Sequence, residues 1–396
     1  MKPKLLYFIF LTFFGFQNFS DFMKIHKEAI VIDLHNDTVQ RMLNKEDISV
    51  RTKTGHIDIP RLREGGIDAA VFSVWIPPGN KSKPYFAQAK KQIDLLLNFA
   101  KKHSQQIVTA YNSEDILRIS KAGKIALMLS MEGAHPVGDD LKHLDYFYER
   151  GVRSIMLTWN NSTNWATSAS DETQSPAKLK HKGLTGLGKK FVKRMDELGI
   201  IIDVSHAGET TFWDVIKTST NPIIASHSAV ASICPNHRNL SDDQIKAIAA
   251  SGGIIGVNFA PWFLDSEFVE KEKVIKEQNK ARIDSVRSVW KGDALSREAA
   301  IARLMQKEYD KILPTLNDLV NHIEYVIKLA GVDYVGLGSD FDGISVAPKG
   351  VDDVTLYPNI TKELIKRGYS KKDLGKILGG NFLRVLSEVE KRKTPN

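Results

Sequence analysis

The sequence predicts an α/β fold, a single (β/α)8 barrel of the TIM type, and three observations support this prediction. Eight short runs rich in Ile, Val and Leu recur along the chain, as expected of parallel strands that are buried on both faces. Amphipathic helical patterns separate these runs. No linker rich in Pro, Gly or Ser divides the 396 residues. Periodicity alone leaves an open, doubly wound sheet as the alternative.

The predicted strands are spread over most of the chain. They occupy residues 29–32, 67–74, 125–129, 154–157, 200–204, 222–225, 253–257 and 334–337. Helical spacing fills the intervals, for example at 85–103 and 187–198. Ser241, followed three residues later by Gln244, predicts a capping box at the start of a helix. We expect residues 21–396 to form one barrel domain.

Residues 265–313 interrupt this pattern between the seventh and eighth predicted strands. The segment is dense in charged residues, and Phe268, Ile283 and Trp290 lie among apolar residues at helical spacing. In a barrel, this connection lies over the catalytic face. We therefore expect a helical insertion. The sequence leaves open whether it is a lid, an oligomer contact or a helical excursion without function.

The first 20 residues predict a signal peptide or an N-terminal anchor. Lys2 and Lys4 form a basic start, and the apolar run at 5–16 is too short to span a bilayer comfortably. Residues 17–20 (QNFS) offer no A-x-A cleavage site. We expect export to a bacterial-type periplasm or to the extracellular space, with membrane association if the leader is not cleaved. Because Cys234 is the only cysteine, no intrachain disulfide can form.

Composition and charge exclude two broad classes of protein. With 42% hydrophobic and 26% charged residues, the chain has an ordinary globular composition and is not disordered as a whole. The formal net charge is +8, but no stripe interleaves basic and aromatic residues as a nucleic-acid-binding surface would. We therefore expect no nucleic acid partner.

Residues suited to metal binding follow the ends of five predicted strands. The segments are 33–37 (DLHND), 130–133 (SMEG), 203–206 (DVSH), 226–228 (SHS) and 339–343 (SDFDG). The carboxyl ends of barrel strands converge on one mouth. Because side chains at i and i+2 of an extended segment point the same way, His35 and Asp37 can hold one ion. A single His after a strand is usually structural. Packing does not explain why His and acidic residues follow five different strands, since buried charges are costly unless they are paired or metal-bound.

Imidazole and carboxylate ligands together suit Zn²⁺, with Mn²⁺ and Co²⁺ as alternatives. Five protein ligands are too many for one catalytic zinc, which must keep an open position. The sequence therefore predicts two zinc ions per chain. His35 and Asp37 are expected to hold the first ion, His206 and His227 the second, and Glu132 is expected to bridge them.

These segments, together with 238–239 (RN) and 380–385 (GNFLRV), resemble the membrane (renal) dipeptidase family of zinc peptidases in order and spacing. That family is related to the amidohydrolase barrels, and the resemblance covers residues from about 31 to 389. It implies the (β/α)8 fold, two zinc ions, the bridging role of Glu132 and hydrolysis of dipeptides. It also implies that Arg238 binds the C-terminal carboxylate of the substrate and that Asp340 transfers protons.

The chain departs from the family pattern after the fourth predicted strand. Mammalian members have a histidine there that contacts substrate, whereas residues 157–161 (LTWNN) place Trp159 at that position. Asn160 is a candidate replacement, so both residues join Arg238 as expected substrate-binding residues. The segment 265–313 is longer than in mammalian members, and the family's anchoring tail and cysteines are missing.

We therefore predict a zinc-dependent dipeptidase in which a metal-bridging hydroxide attacks the peptide bond and Asp340 is the catalytic acid–base. Its partners are expected to be dipeptides, and a homodimer is left open. One alternative is another binuclear amidohydrolase that acts on lactones, esters or N-acyl amino acids. The presence of Arg238 argues against a neutral ester as the substrate, because hydrolysis of such an ester would not need this arginine. The second alternative is a non-catalytic metal-binding protein. Asp340 argues against it, because it supplies a proton carrier that structural metal sites lack.

Overall fold

The computed structural model describes residues 22–79, 84–292 and 294–394. The predicted leader at 1–20 lies outside the described residues. The nine strands of the described chain are β1 (Ile32–Asn36), β2 (Ala69–Trp75), β3 (Ile107–Thr109), β4 (Ile125–Glu132), β5 (Val152–Met156), β6 (Ile201–Asp203), β7 (Ile224–Ser228), β8 (Ile254–Asn258) and β9 (Val335–Gly338). No helix among the described residues is long and apolar enough to cross a membrane.

Eight of these strands form the barrel that the sequence predicts. Their hydrogen-bonded order is β1-β2-β4-β5-β6-β7-β8-β9, and every pair is parallel. The chain beyond β9 returns to β1, because the Asp340 amide donates to the His35 carbonyl at 3.0 Å and the Asp37 amide to the Phe341 carbonyl at 2.9 Å. The predicted single (β/α)8 barrel is confirmed, and the open doubly wound sheet is wrong.

Helices alternate with the barrel strands. The α-helices that follow residue 30 in the described chain are Thr38–Leu43, Ile59–Glu64, Tyr85–Lys102, Ser113–Lys121, Lys142–Glu149, Ala169–Gln174, Gly186–Leu198, Glu209–Thr218, Asp242–Ala250, Pro261–Leu264, Ser266–Gln278, Lys280–Val289, Ala294–Leu304, Gln306–Tyr309, Leu316–Ala330, Tyr357–Lys366, Lys371–Gly375 and Asn381–Lys391. Residues 22–28 are also helical. Shorter helical turns are His135–Val137, Pro176–Lys178, Val332–Tyr334, Val354–Leu356 and Lys376–Gly380. The capping box that Ser241 and Gln244 predict is present.

One strand was not predicted from the sequence. β3 pairs with residues 125–127 of β4, on the edge that β5 occupies from Leu129 onward. Three residues are too few to show a period-two pattern, so the apolar signal of β3 does not stand out from the neighbouring helices.

Two strands carry one extra residue where a predicted metal ligand lies. In β1, Asp33 pairs with Ala70 and Asn36 with Phe72, so three steps in β1 match two in β2. β7 shows the same shift against β8 between Ala225 and Ser228. Such β-bulges redirect a side chain and are common next to active sites. The bulges contain His35 and His227.

The helical insertion follows β8, the seventh strand of the barrel. Its helices begin at Ser266 and share a small apolar core of their own. This core consists of Phe268, Ile283, Ile301, Ala302, Met305, Tyr309 and Leu313, with Val346 from the segment after β9. Since Val346 belongs to that core, the insertion packs against the loop that also carries Asp340.

Candidate metal centre

The strand ends bring all five predicted metal ligands into one buried cluster. His35 Nε2 lies 3.6 Å from Glu132 Oε2 and 3.7 Å from Asp37 Oδ2. The other oxygen of Glu132, Oε1, lies 3.0 Å from His206 Nε2 and 3.9 Å from His227 Nε2. The two oxygens of Glu132 therefore face different groups of ligands.

The atoms of this cluster fit a metal ion. Both ring nitrogens of His35 and Oδ1 of Asp37 are buried without a hydrogen-bond partner, although buried polar atoms in proteins nearly always have one. Two overlapping sets of donor atoms lie within 4.8 Å of one another, namely His35, Glu132 and His227, and His35, Asp37 and Asp340. Imidazole nitrogen and carboxylate oxygen are the donors that zinc and similar divalent ions bind.

The charges of the cluster also favour a cation. Burial raises the pKa of Asp37 to about 8 and that of Asp340 to about 6, and the nearby charge of Glu132 adds to both shifts. Burial opposes ionisation of Glu132 too, but contacts with His206 and His35 hold its pKa below the usual value. Burial and the charge of Arg238 lower the pKa of His206 to about 3, so this imidazole is neutral. The buried acids Asp37 and Glu132 thus lie close to the partly buried Asp340, and a divalent ion would relieve their repulsion.

Asp340 is held by a residue that sequence reasoning missed. Asn258, at the end of β8, is fully buried, and its Nδ2 donates to Asp340 Oδ2 at 3.0 Å. Asn258 Oδ1 accepts from the Ala260 amide at 2.5 Å, which fixes the side chain. Asp340 Oδ1 lies 3.8 Å from His35 Nε2. A polar residue at the carboxyl end of a barrel strand was the signal that could have identified Asn258.

Arg238 lies on the His206 and His227 side of the cluster. Its Nε donates to His206 Nδ1 at 3.0 Å, and Nη2 lies 3.2 Å from His227 Nε2. Arg238 is 6% exposed. Burial lowers its pKa to about 10, so the guanidinium keeps its charge at neutral pH.

Trp159 and Asn160 both border His206. The Trp159 ring lies 5.0 Å from that of Trp75 and 6.2 Å from the imidazole of His206. Asn160 Oδ1 lies 3.0 Å from His206 Nδ1. The structure thus places both residues beside the cluster, and their role in binding substrate stays a prediction.

Two backbone features accompany these contacts. His206 and Asp340 have positive φ angles of 66° and 59°, which are uncommon for residues other than glycine. Such conformations cost energy and concentrate at functional sites. The backbone at two of the strand ends is therefore shaped for the position of a side chain.

A (β/α)8 barrel with buried histidines and acids at the carboxyl ends of its strands defines a metal-dependent hydrolase. Comparisons with known proteins identify the family within this class. Residues 20–396 match the model of the membrane dipeptidase family, peptidase family M19, and the chain belongs to this family. The protein is accordingly a metallo-dipeptidase that acts on small peptide substrates, and the resemblance noted in the sequence is confirmed.

Curated relatives and solved structures agree with this assignment. Dipeptidase tcpJ of Claviceps purpurea is 29% identical over 373 residues, which cover 90% of this chain and 76% of the relative. Dipeptidase aclJ of Aspergillus oryzae is 31% identical over 344 residues, covering 85% and 70%. The probable dipeptidase PvdM from Pseudomonas aeruginosa superposes with a TM-score of 0.77 at 29% identity, covering 95% of this chain and 99% of that one. A metallo peptidase from Rhodobacter sphaeroides, liganded with a phosphinate mimic of the dipeptide L-Ala-D-Ala, gives 0.73 at 25% identity, covering 91% and 99%.

Proposed function

We propose that the protein is a dipeptidase that binds two zinc ions per chain, with Mn²⁺ or Co²⁺ as alternative occupants. The observation that supports two ions is the position of Glu132, whose Oε2 lies 3.6 Å from His35 and whose Oε1 lies 3.0 Å from His206. His35 and Asp37 would hold one ion, and His206 and His227 the other.

Two such ions, when bound, would lower the pKa of a bound water and polarise the scissile carbonyl. The chain itself supplies the proton transfer. Asp340 has one oxygen fixed by Asn258, and its Oδ1 lies within 3.8 Å of His35. Asp340 accepts the proton that the attacking water loses and delivers it to the amine of the leaving amino acid, so that one water cleaves one peptide bond.

Arg238 binds the C-terminal carboxylate of the substrate. If His227 held an ion through Nε2, that nitrogen would have no lone pair left to accept from Arg238 Nη2. The guanidinium is then available for a carboxylate, which matches its fork geometry. Since Arg238 lies directly beside the cluster, it can reach a carboxylate only one residue beyond the scissile bond.

Asn160 and Trp159 complete the site on this side. If His206 holds a metal ion through Nε2, its Nδ1 would carry the proton, so that it donates to Asn160 Oδ1 and no longer accepts from Arg238 Nε. A hydrogen bond of this kind orients a metal-binding histidine. The Trp159 ring, packed against Trp75, provides an apolar wall next to His206.

The function is tested with metal-loaded protein and a panel of dipeptides, N-acyl amino acids and lactones. We expect hydrolysis of dipeptides, two ions per chain by elemental analysis, loss of activity on chelation and recovery with added zinc. Hydrolysis of only N-acyl amino acids or lactones would identify another binuclear amidohydrolase. Full metal content without turnover on any substrate would identify a binding protein.

We also propose that the basic and apolar leader at 1–20 directs export of the protein. The support is its composition, with Lys2 and Lys4 ahead of the apolar run at 5–16. Fractionation of cells that express the full chain, followed by N-terminal sequencing, tests this proposal. Recovery of the protein in the cytoplasm with its leader intact would contradict it.

A further inference from the structure

A cavity of about 760 Å³ lies between the insertion and the barrel mouth. One wall comes from residues 40–56 after β1, a second from residues 342–347 after β9, and a third from helix Ala294–Leu304 of the insertion. Its volume is in the range of sites that bind small molecules. None of the five predicted metal ligands lines it, so it is a separate space beside the cluster.

Gly343 brings this cavity next to the metal cluster. The residue lines the cavity, and a Cβ built on it would lie 2.2 Å from Asp37 Oδ2 and 2.6 Å from Asp340 Oδ1. A glycine is needed here because any side chain would collide with these carboxylates. The cavity therefore borders the cluster on the side of Asp37 and Asp340.

The cavity and Arg238 border ligands that lie near different oxygens of Glu132. Arg238 contacts His206 and His227, which lie near Glu132 Oε1. The cavity borders the acids that surround His35, and His35 lies near Oε2. A dipeptide that binds Arg238 through its carboxylate and places its peptide bond over Glu132 must direct its amino-terminal residue away from Arg238, towards Gly343.

We propose that this cavity binds the amino-terminal side chain of the dipeptide and that helix Ala294–Leu304 makes it selective for long side chains. This inference rests on the proposed function, since the direction of the substrate follows from Arg238. It gives the insertion a role in substrate selection.

The lining indicates the chemistry of the preferred side chain. Leu295, Leu313 and Ile344 provide apolar surface for its stem. Five of the six lining acids have a cationic partner: Glu46 and Asp342 pair with Arg41, Glu272 with Lys276, Glu298 with Arg297 and Asp353 with Arg61. Lys53 and Arg303 form no ion pair within the part of the chain that the structure describes, whereas the lining carboxylate of Asp352 accepts a backbone amide. The cavity thus favours a side chain with an apolar stem and a negatively charged or hydrogen-bond-accepting end, such as glutamate.

The test compares Gly-Ala, Leu-Ala, Glu-Ala and Lys-Ala on the metal-loaded full chain, so that only the amino-terminal side chain varies. We expect kcat/KM to rise about tenfold or more from Gly-Ala to Leu-Ala, as burial of a large side chain allows, and Glu-Ala to exceed Lys-Ala. Calorimetry with phosphinate mimics of Gly-Ala and Glu-Ala provides a binding readout that does not depend on turnover.

Ala299→Trp fills the cavity from the insertion side, and Ala300→Trp is its matched control. Both alanines are partly buried in the same helix, but only Ala299 lines the cavity. Ala299→Trp should lower the Glu-Ala to Gly-Ala ratio of kcat/KM about tenfold, while Ala300→Trp should preserve the ratio. Arg303→Glu, on the helix surface, should reverse the preference between Glu-Ala and Lys-Ala, and it serves as the test if the tryptophan variant does not fold.

The outcomes separate the two proposals. If the wild type hydrolyses dipeptides but neither Ala299→Trp nor Arg303→Glu changes the ratios, the cavity does not bind the side chain and the inference is overturned. A wild type with no preference among the four dipeptides overturns it as well. If no dipeptide is hydrolysed at all, the proposed function itself is wrong.

Discussion

Asn258 Nδ2 donates a hydrogen bond to Asp340 Oδ2 at 3.0 Å, and this bond determines which oxygen of Asp340 is free to transfer a proton. Asn258 is itself held by the Ala260 amide. A carboxylate anchored through one oxygen presents the other in a fixed direction, and catalysis depends on this kind of positioning. Asn258 acts through Asp340 and is therefore a positioning residue.

Replacing Asn258 should lower kcat while KM changes little. In Asn258→Ala the carboxylate of Asp340 can rotate, and a misplaced catalytic group costs on the order of a hundredfold in rate. Asn258→Asp keeps the acceptor for the Ala260 amide but loses the donor to Asp340, so it should be impaired as well. Steady-state kinetics on one dipeptide, with metal content measured in parallel, checks this expectation. A wild-type kcat in both variants would show that the bond is only structural.

Asp340→Asn tests the acid–base assignment directly. The amide cannot accept the proton, so turnover should fall about 10²–10⁴-fold, the usual effect of losing a general acid–base. Both metals and substrate binding should be retained. The measurement is metal content and single-turnover kinetics on the same sample. Because Asp340 also belongs to a set of donor atoms with His35 and Asp37, loss of metal on this substitution would make it a metal ligand instead.

The barrel was predictable because its strands are buried on both faces, so each one leaves an apolar run in the sequence. The predicted ends of the strands are less accurate where a strand carries residues of the metal site. The first run was predicted at 29–32, whereas β1 spans Ile32–Asn36, because the polar residues of the site lie within the strand and interrupt its apolar pattern. β4 likewise extends to Glu132, three residues beyond its predicted end at Leu129.

The candidate ligands were predictable as a set, but their mutual arrangement was not. His35 and His227 lie in bulges that depend on the register between neighbouring strands, and register is a long-range property that a local pattern does not encode. Asn258 was missed for a related reason. It ends an apolar run, and only the fold brings it to Asp340, 82 positions further along the chain.

Glu132→Gln tests the bridge between the two ions. A neutral amide is a weaker ligand than a carboxylate, so metal content should fall towards one ion per chain and turnover should be lost. Elemental analysis after gel filtration measures the stoichiometry. Glu149→Gln, on the exposed end of helix Lys142–Glu149, is the control and should keep both ions. An active Glu132→Gln enzyme with two tightly held ions would refute the bridging assignment.

Asp342 should stabilise the fold in a pH-dependent way. Its side chain is fully buried and accepts from Arg41 Nη1 at 2.8 Å, Thr38 Oγ1 at 2.8 Å and the His56 amide at 2.7 Å. Burial alone would raise the pKa of Asp342, but the charge of Arg41 and the contacts with His56 together outweigh it and hold the pKa below its usual value. The contribution to stability is therefore complete above the unfolded pKa of about 3.9 and is lost as the pH falls through the folded pKa.

Asp342→Asn should lower the free energy of unfolding by about 1–3 kcal/mol at pH 7, because the partly buried Arg41 then keeps only Glu46 as a charge partner among the described residues. The difference from wild type should shrink as the pH falls below about 4. Chemical denaturation of both proteins at pH 7 and pH 3 measures this difference in the free energy of unfolding. A difference that stays constant between these pH values would assign the effect to packing instead of charge.

The last prediction concerns Arg238 and the free carboxylate of the substrate. Arg238 lies beside His206 and His227 and is the cation placed to bind a carboxylate one residue beyond the scissile bond. Charge-assisted contacts contribute about 1.5–3 kcal/mol, so a C-terminally amidated dipeptide should lose roughly ten- to a hundredfold in kcat/KM. Arg238→Lys should impair hydrolysis of the free dipeptide, because lysine cannot form the planar fork. The difference in kcat/KM between the free and the amidated dipeptide should therefore become smaller. Arg63→Lys, on an exposed helix position, should leave this difference in kcat/KM unchanged. Equal rates on free and amidated dipeptides in the wild type would remove the carboxylate contact from the mechanism and leave the two-metal centre intact.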